Sequence, residues 1–446
     1  MTNWNEILET IPPGTSEADL EARFVSPLLQ ELGLNPGNYS QGKSFSGLFK
    51  GQNKTVRPDF SCWFSPVDLG PPFLVVEDKK VDGNLINNAI REVQQQMVIS
   101  KAKFGMATNG LQIQFFQRHK NICIPRTPLE DIYAISISDI IAEIKAHLES
   151  PIKALTMMFW NLKGGVGKTT ITANIGATLA KKYKVLIINF DLQGDLNPMF
   201  GVQDMTEYQN PVTIFDALYD VANGIDEINP SQLVRTKKFE VKSVDYEVDV
   251  IPGDLSMFDV EDGINIPNRL TSLKMFLEKG FYNTYDYILI DASPAWRVAE
   301  MAARAVDIII PVVDNSNFSI LGVERLKEIY LNPEPSRGNT SEKVWEFKQK
   351  SCWNLNDSPI PPGIMGYLIN TRFQNIGTVN TAANSIKTKL AEKVGIPSSE
   401  NYGIVRNYAE IAKSVEKGKP VVYSDPNSKA AETFTELTNS IFGVKI

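Results

Sequence analysis

The chain has 446 residues, 43% of them hydrophobic and 22% charged, with a formal net charge of −7. That length exceeds one ordinary domain, and the balanced composition excludes a fibrous or disordered chain, so two or three globular domains are expected. Basic residues do not outnumber acidic ones on either side of residue 150, which excludes a uniformly basic nucleic-acid-binding protein and leaves only a local patch for such a contact.

Cys62, Cys123 and Cys352 lie far apart, so neither a disulfide framework nor a thiolate metal site is expected. His119 and His147 are the only histidines; both are expected at the surface, and they are too few for a His-based metal site or a Ser-His triad. The opening MTNWNEILETIPPG has neither the basic start nor the apolar stretch of a signal peptide. No apolar run approaches the ~20 residues a membrane span needs. These features predict a cytoplasmic protein.

In chain order, TSEADLEARFVSPLLQELG predicts a helix with Leu20, Phe24, Val25, Leu28 and Leu29 on one face, Ser16 as N-cap and Gly33 as stop. Short strand-like runs follow: RPDFSCWF, FLVVE, FGMAT and LQIQFFQ, with a helical stretch Ile86 to Ser100 between the second and third. A helix, ISDIIAEIKAHLESPIK, closes this half, and Pro151 marks a linker. Beyond it strands and helices alternate: LTMMFWN, KVLIINF, YEVDVIP, YDYILID, VDIIIPVVD and IMGYLIN are the strands. Continuous apolar strands between helices predict a parallel sheet covered on both faces. Glu334 to Pro362, rich in Pro, Ser, Asn and Gly, predicts an insertion loop. The fold class is α/β throughout, with domains 1–150 and 151–446. The second is a doubly wound, mainly parallel sheet.

The sharpest motif is FWNLKGGVGKTTITANIGATLA, a loop between a strand and a helix. Gly164, Gly165 and Gly167 let backbone N–H groups converge on phosphate without Cβ obstruction, Val166 lies between them, and the helix N-terminus adds partial positive charge. Lys168 can reach the β- and γ-phosphates, and the Thr169 hydroxyl, followed by Thr170, can ligate Mg²⁺. Leu162 stands where the strict P-loop pattern has its first glycine, and an extra lysine, Lys163, precedes Lys168 by five residues.

This KGGVGKTT loop resembles that of the ParA/MinD family of P-loop ATPases, and the resemblance covers roughly residues 155–446. It implies ATP and Mg²⁺ as cofactors and a homodimer in which Lys163 crosses to the nucleotide of the facing subunit. It further implies non-specific association with DNA, and a ParB-like or other adaptor that stimulates hydrolysis, with localisation in the cytoplasm or on the nucleoid. VLIINFDLQGDLN is similar to the family's switch segment, so Asp191 orients water and supports Mg²⁺, with Asn189, Leu192 and Asp195 as departures. YDYILIDASP resembles Walker B, which makes Asp291 a Mg²⁺ acceptor. Asn370, in GYLIN, matches a position that reads adenine. KSVEKGKPVVYSDPNSKAAETF resembles the family's closing segment.

In the first half, Asp59 precedes one strand, and Glu77 and Lys79 are i and i+2 on the next, pointing to one face. Asp59 and Glu77 can share a divalent cation and Lys79 can stabilise charge at phosphorus. Asp78 and Lys80 then point outward to solvent. A solvated strand-end ion pair is the alternative reading. The order of the helix, VRPDF, FLVVEDKK, a Gln-rich helix and GMATNGLQIQFF resembles the HsdR N-terminal-like PD-(D/E)xK nuclease domain of type I restriction subunits. That resemblance implies a restriction-endonuclease-like fold and a second Mg²⁺ or Mn²⁺, with Glu17 assisting the metal. Gln94 or Gln95 falls in the family's Q-x-x-x-Y element, where Val98 or Ile99 replaces the tyrosine. Three functions stay open: a partitioning or positioning ATPase, an ATP-gated nuclease in restriction or defence, and a regulatory ATPase with an inert DNA-docking domain.

Overall fold

The computed structural model describes residues 2–49, 52–64, 70–82, 85–191, 195–202, 212–225, 227–253, 269–294, 296–331, 363–364 and 366–446. The chain divides into two compact units, Met1–Ile152 and Lys153–Ile446. The expected insertion Glu334 to Pro362 lies outside the described residues, as do Leu192 and Cys352.

In the first unit, Ser16 caps the helical run by accepting the Asp19 N–H at 3.2 Å. The run passes through Glu17–Leu20, a wider π-type turn Glu21–Val25, and Ser26–Glu31. Gly33, at φ +84°, takes the left-handed conformation just past its end. Strands β1 (Tyr39–Gln41), β2 (Phe45–Phe49), β3 (Gln52–Val56), β4 (Phe60–Cys62), β5 (Leu74–Asp78), β6 (Phe104–Thr108), β7 (Gln112–His119), β8 (Ile122–Pro125) and β9 (Glu130–Asp131) follow. They form one sheet in the order β1-β4-β5-β6-β7-β8, with β9 beside β7, plus a separate β2–β3 hairpin. Among the described strands of this unit only β5 and β6 pair in parallel, because the helix Ile86–Ser100 carries the chain between them.

Both faces of that sheet are covered. Leu74, Val76, Phe104 and Met106 pack on one side with Leu20, Phe24, Leu28 and Ile140. Val75, Ala107 and Phe116 pack on the other with Ala89, Val93 and Met97 of the helix Ile86–Ser100. All five residues of β5 are therefore buried. This corrects the outward placement of Asp78, which is 1% exposed. Alternation puts it opposite Glu77, but that opposite face meets the helical run Glu17 to Glu31 and not water. Lys80 is exposed as expected. The two histidines are half-buried and not superficial; His147 stacks on Phe115 at 6.3 Å between ring centres.

The second unit contributes β10 (Leu155–Trp160), β11 (Val185–Phe190), β12 (Arg235–Val241), β13 (Val244–Ile251), β14 (Tyr287–Ala292), β15 (Ile308–Val313), β16 (Gly363–Ile364), β17 (Tyr367–Asn370) and β18 (Asn401–Val405). Their order is β12-β13-β11-β14-β10-β15-β17-β18, with β16 beside β15. Among the described residues every pairing is parallel except β12–β13. That hairpin was not expected. Its turn residues, Lys242 and Ser243, sit at φ +51° and +63°, a two-residue turn that Asn-Gly ordinarily marks. Apolar side chains from β10, β11, β14 and β15 meet helices 214–223, 269–278 and 296–305 in one core, and a smaller core lies under helices 317–331 and 376–389. Among the described residues no helix is long and apolar enough to cross a membrane.

Candidate functional site

Two places gather chemistry. In the first unit, antiparallel pairing sets Phe60 opposite Val76, so Asp59 arrives beside Glu77 and Asp78. The Asp78 N–H donates to Asp59 Oδ2 at 2.8 Å. Glu77 is 3% exposed and engaged on its own face. Lys79 pairs with it, Lys79 also meets Glu92 at 2.9 Å, and Gln96 Nε2 donates to Glu77 Oε2 at 2.5 Å. Burial, with Glu92 and the Asp59 charge nearby, pushes the Glu77 carboxyl well above its usual range. Burial would pull the Lys79 ammonium down, but Glu77 and Glu92 hold it above its ordinary value. On the opposite face, carboxylate oxygens of Glu21, Asp59 and Asp78 all lie within 4.8 Å of one another. Asp78 is raised by burial, then by the charges of Asp59, Glu21 and Glu17. Glu17 itself is exposed and lies outside that trio.

In the second unit, β10 feeds residues 161–167 directly into the helix Lys168–Leu179. Asn161 fastens the loop's start: its amide donates to the carbonyls of Val312 and Ser319, each at 2.9 Å, and its Oδ1 accepts the Lys163 N–H at 3.0 Å. Gly165 and Gly167 adopt φ +70° and +93°, backbone that L side chains avoid. A Cβ on Gly164 would meet nothing within 4 Å, so that side of the loop is open. A Cβ on Gly167 would instead come 2.2 Å from Asn370 Nδ2. Asn370 is engaged here: its amide donates to the Val166 carbonyl at 2.7 Å, bracing the loop from β17.

Lys168 is buried, with its ammonium 3.3 Å from the Lys163 carbonyl. Burial lowers its pKa, and the charges of Asp291 and Asp191 partly offset that. Lys163 extends the other way and pairs with Asp314. Asp314 also accepts from the Ser316 hydroxyl at 2.6 Å; these partners outweigh its burial and hold its carboxyl below the usual range. Asp291 ends β14 fully buried, and neither carboxylate oxygen has a hydrogen-bond partner. Burial raises its pKa to about 7; the Thr169 hydroxyl lies close enough to lower it but not to satisfy it. A buried carboxylate left bare beside a phosphate cradle and a threonine hydroxyl is the donor set a hard cation takes.

Residues 154–332 match a family model described as an AAA domain. The sporulation initiation inhibitor protein Soj of Bacillus subtilis is 27% identical over 284 residues, covering 63% of this chain and 95% of that one. An uncharacterized protein of Methanocaldococcus jannaschii is 29% identical over 285 residues, covering 62% and 94%. A virulence plasmid ParA family protein of Chlamydia psittaci is 26% identical over 291 residues, covering 64% and 93%. The chain is thus similar, over somewhat less than two thirds of its length, to ParA family proteins.

Within the second unit the departures from the ParA/MinD pattern acquire a physical account. Asn189 is fully buried; its amide donates to Asn197 Oδ1 at 2.8 Å, and Asn197 donates to the Gly253 carbonyl at 2.9 Å. An aspartate at 189 would set two acceptors against each other. Asn189 Oδ1 also accepts the Asp191 N–H at 3.2 Å. Thus the amide positions the next acidic residue. Asp195 has its carboxyl raised by burial and by Asp191. The closing segment secures the P-loop helix: the Val421 N–H donates to Asn174 Oδ1 at 2.8 Å and the Tyr423 hydroxyl to the Ala177 carbonyl at 2.6 Å.

Four residues escaped the sequence reading. Asp314, at the end of β15, pairs with Lys163, and Arg372 reaches the loop, 3.8 Å from where a Gly165 Cβ would sit. Both stand just past strand ends on the parallel sheet, where such sheets bind ligands. Gln96 lies one residue beyond the glutamines singled out. Glu21 lies one helical turn beyond Glu17, and turn spacing alone allows either to face the strand.

Proposed function

We propose that this chain is an ATP-driven switch that binds Mg-ATP in the second unit, pairs two copies across the nucleotide, and resets by hydrolysis. The observation carrying this reading is the cradle itself: an open glycine loop, two lysines pointing apart, and the unsatisfied Asp291 carboxylate behind Thr169. Gly164 to Thr170 would wrap the phosphates, with Lys168 on the β- and γ-phosphates. Thr169, Asp191 and Asp291 would hold Mg²⁺, which neutralises charge that builds on the phosphates during transfer. Asp191, held at its backbone by Asn189, orients water. Lys163, released from Asp314, would reach the facing copy's nucleotide.

Sizing the purified chain with ATP or a non-hydrolysable analogue tests the switch. A dimer is expected with nucleotide and a monomer without it; a monomer in both conditions rejects the reading. Lys163→Ala should retain nucleotide and lose the dimer, whereas Lys168→Ala should lose nucleotide. Asp191→Ala should slow turnover about a hundredfold, the ~3 kcal/mol that one well-placed catalytic contact contributes. The ATP-bound dimer associates non-specifically with DNA in plasmid or chromosome partitioning or cargo positioning, with an adaptor stimulating hydrolysis. The virulence-plasmid ParA family protein among the relatives supports that setting.

The first unit, on this reading, has the restriction-endonuclease-like fold. Asp59, Glu77 and Lys79 meeting at one strand end favour a second reading, metal-dependent DNA cleavage gated by ATP. Plasmid incubated with the protein, Mg²⁺ or Mn²⁺, and nucleotide should be nicked by wild type and not by Glu77→Ala or Lys79→Ala. Plasmid left intact in every mixture would reject cleavage and leave a DNA-docking module.

A further inference from the structure

We propose that the β2–β3 ribbon and the turn before β6 form a face of the first unit that holds duplex nucleic acid by its phosphate backbone, without nucleotide. The inference rests on the DNA-docking reading of that unit and assigns it a surface away from the Asp59–Glu77–Lys79 strand end. Charge is the first observation. Leu32 to Pro58 contains Lys43, Lys50, Lys54 and Arg57 and no Asp or Glu. Val93 to Leu129 contains Lys101, Lys103, Arg118, Lys120 and Arg126 and again no Asp or Glu. Packing brings the two segments together. A Cβ on Gly47 would meet the Ile99 carbonyl at 3.2 Å, so the ribbon lies against the end of helix Ile86–Ser100, and Lys101 follows that end directly. The helix carries one acid, Glu92, which pairs with Lys79 at 2.9 Å. On the other side of the sheet, four acids ride the run Glu17 to Glu31 and three the helix Ile137–Glu149. The sheet thus separates an acidic face from a basic one, and a basic face attracts a polyanion.

Shape is the second observation. A two-stranded β-ribbon is one of the elements that the major groove admits. Gly47 faces the helix, so alternation turns Ser46, Leu48, Asn53 and Thr55 outward. The Ser46 and Thr55 hydroxyls meet at 2.8 Å on that outer face, and all four residues are exposed. Three of them carry the hydroxyl and amide groups that contact phosphate and sugar. Leu48 alone gives little apolar area to bury in a bilayer, which favours nucleic acid over lipid. Lys54, paired opposite Gly47 yet exposed, emerges beside the helix end. The third observation is that the cations are held in place. Lys43 lies over Trp63 at 4.9 Å, Lys54 over Phe49 at 5.5 Å and Lys103 over Phe104 at 5.5 Å from the ring centres. Arg118 commits its guanidinium to the carbonyls of Ala102, Lys120 and Lys101, each at 2.6 Å. It thereby ties the turn bearing Lys101 and Lys103 to the turn bearing Lys120. Cations ordered in advance lose less freedom when they bind.

Anisotropy of a short labelled duplex of random sequence, titrated with the nucleotide-free full-length chain in EDTA across a salt series, tests the surface. EDTA and the absence of nucleotide keep the result separate from cleavage and from the ATP switch. Binding is expected, with log K falling against log salt at a slope of roughly −4 if Lys43, Lys54, Lys101 and Lys103 each neutralise one phosphate. Lys54→Gln and Lys101→Gln should each reduce the magnitude of that slope by about 1. Asn53→Asp, at an exposed position, should weaken binding across the series, and Lys145→Gln on the acidic face should leave it unchanged. Slopes unaltered in both lysine variants overturn this surface and leave DNA docking to another part of the chain. A duplex bound only after ATP is added overturns it in favour of the second unit. Absence of binding with and without ATP rejects the docking reading as well. Phosphatidylglycerol vesicles bound more tightly than duplex through the same lysines would overturn nucleic acid as the partner.

Discussion

At the residue scale, single atoms decide more here than residue class does. Gly167 is required twice over, by its φ of +93° and by Asn370 Nδ2 standing where a Cβ would go. Gly167→Ala should abolish ATP binding in a fluorescent-nucleotide titration. Adding Asn370→Ala should restore it only partly, because the left-handed backbone strain of ~1–2 kcal/mol remains. Lys163 and Lys168 carry the same charge five residues apart, yet one is partly exposed on Asp314 and the other buried beneath the loop. Of the described cysteines, Cys62 lies in the core and Cys123 is half-buried. Burial pushes the thiols of Cys62 and Cys123 up to about 12. A raised acid favours the folded state below its unfolded pKa of about 9 and loses that contribution as pH climbs towards 12. At pH 9 the folded chain should therefore resist alkylation at Cys62 and Cys123, and unfolding in guanidinium should expose both; peptide mapping after iodoacetamide reads this directly.

At the element scale, strand ends carry the chemistry and helices set its polarity. β10, β14 and β15 deliver Asn161, Asp291 and Asp314 to the C-terminal end of a parallel sheet, and the helix Lys168–Leu179 starts at that end. The Asn189–Asn197–Gly253 chain ties β11 to the segment after β13. Asn189→Ala removes one of the two donors to the Asn197 oxygen, which keeps the Gly253 N–H at 3.3 Å, and removes the acceptor of the Asp191 N–H. It should cost about 1–3 kcal/mol in urea unfolding and slow hydrolysis through Asp191. Unchanged stability would show that water replaces the amide. Two strands of the second unit absent from the sequence reading, β12 and β18, lack the usual signals. The β12–β13 turn uses Lys242 and Ser243 at positive φ in place of the usual Asn-Gly. β18 carries Gly403 and is mostly half-buried, so it lacks the apolar density that marks the central strands.

At the scale of the whole molecule, two units each own a charged centre built where strands end. A fragment beginning at Lys153 should bind ATP with the affinity of the full chain, since every loop, strand and helix of the cradle lies within Lys153–Ile446. A tenfold or greater loss in calorimetry would show that the first unit contributes to the nucleotide site. Sequence by itself determined the P-loop, because glycine, lysine and threonine spacing is tied to backbone conformation within one local segment. It also determined the parallel sheet, because continuous apolar runs occur where both faces are covered. Only the tertiary structure decided which carboxylates converge. Asp78 ends a strand whose two faces read alike, Val75 and Val76 being equally apolar, so no pattern showed that a helix and not solvent lies above it. Glu17 and Glu21 differ by one helical turn, and only the packing of that run against the sheet showed that Glu21 meets Asp59 and Asp78. Such choices depend on packing between segments distant in the chain, which local spacing does not encode.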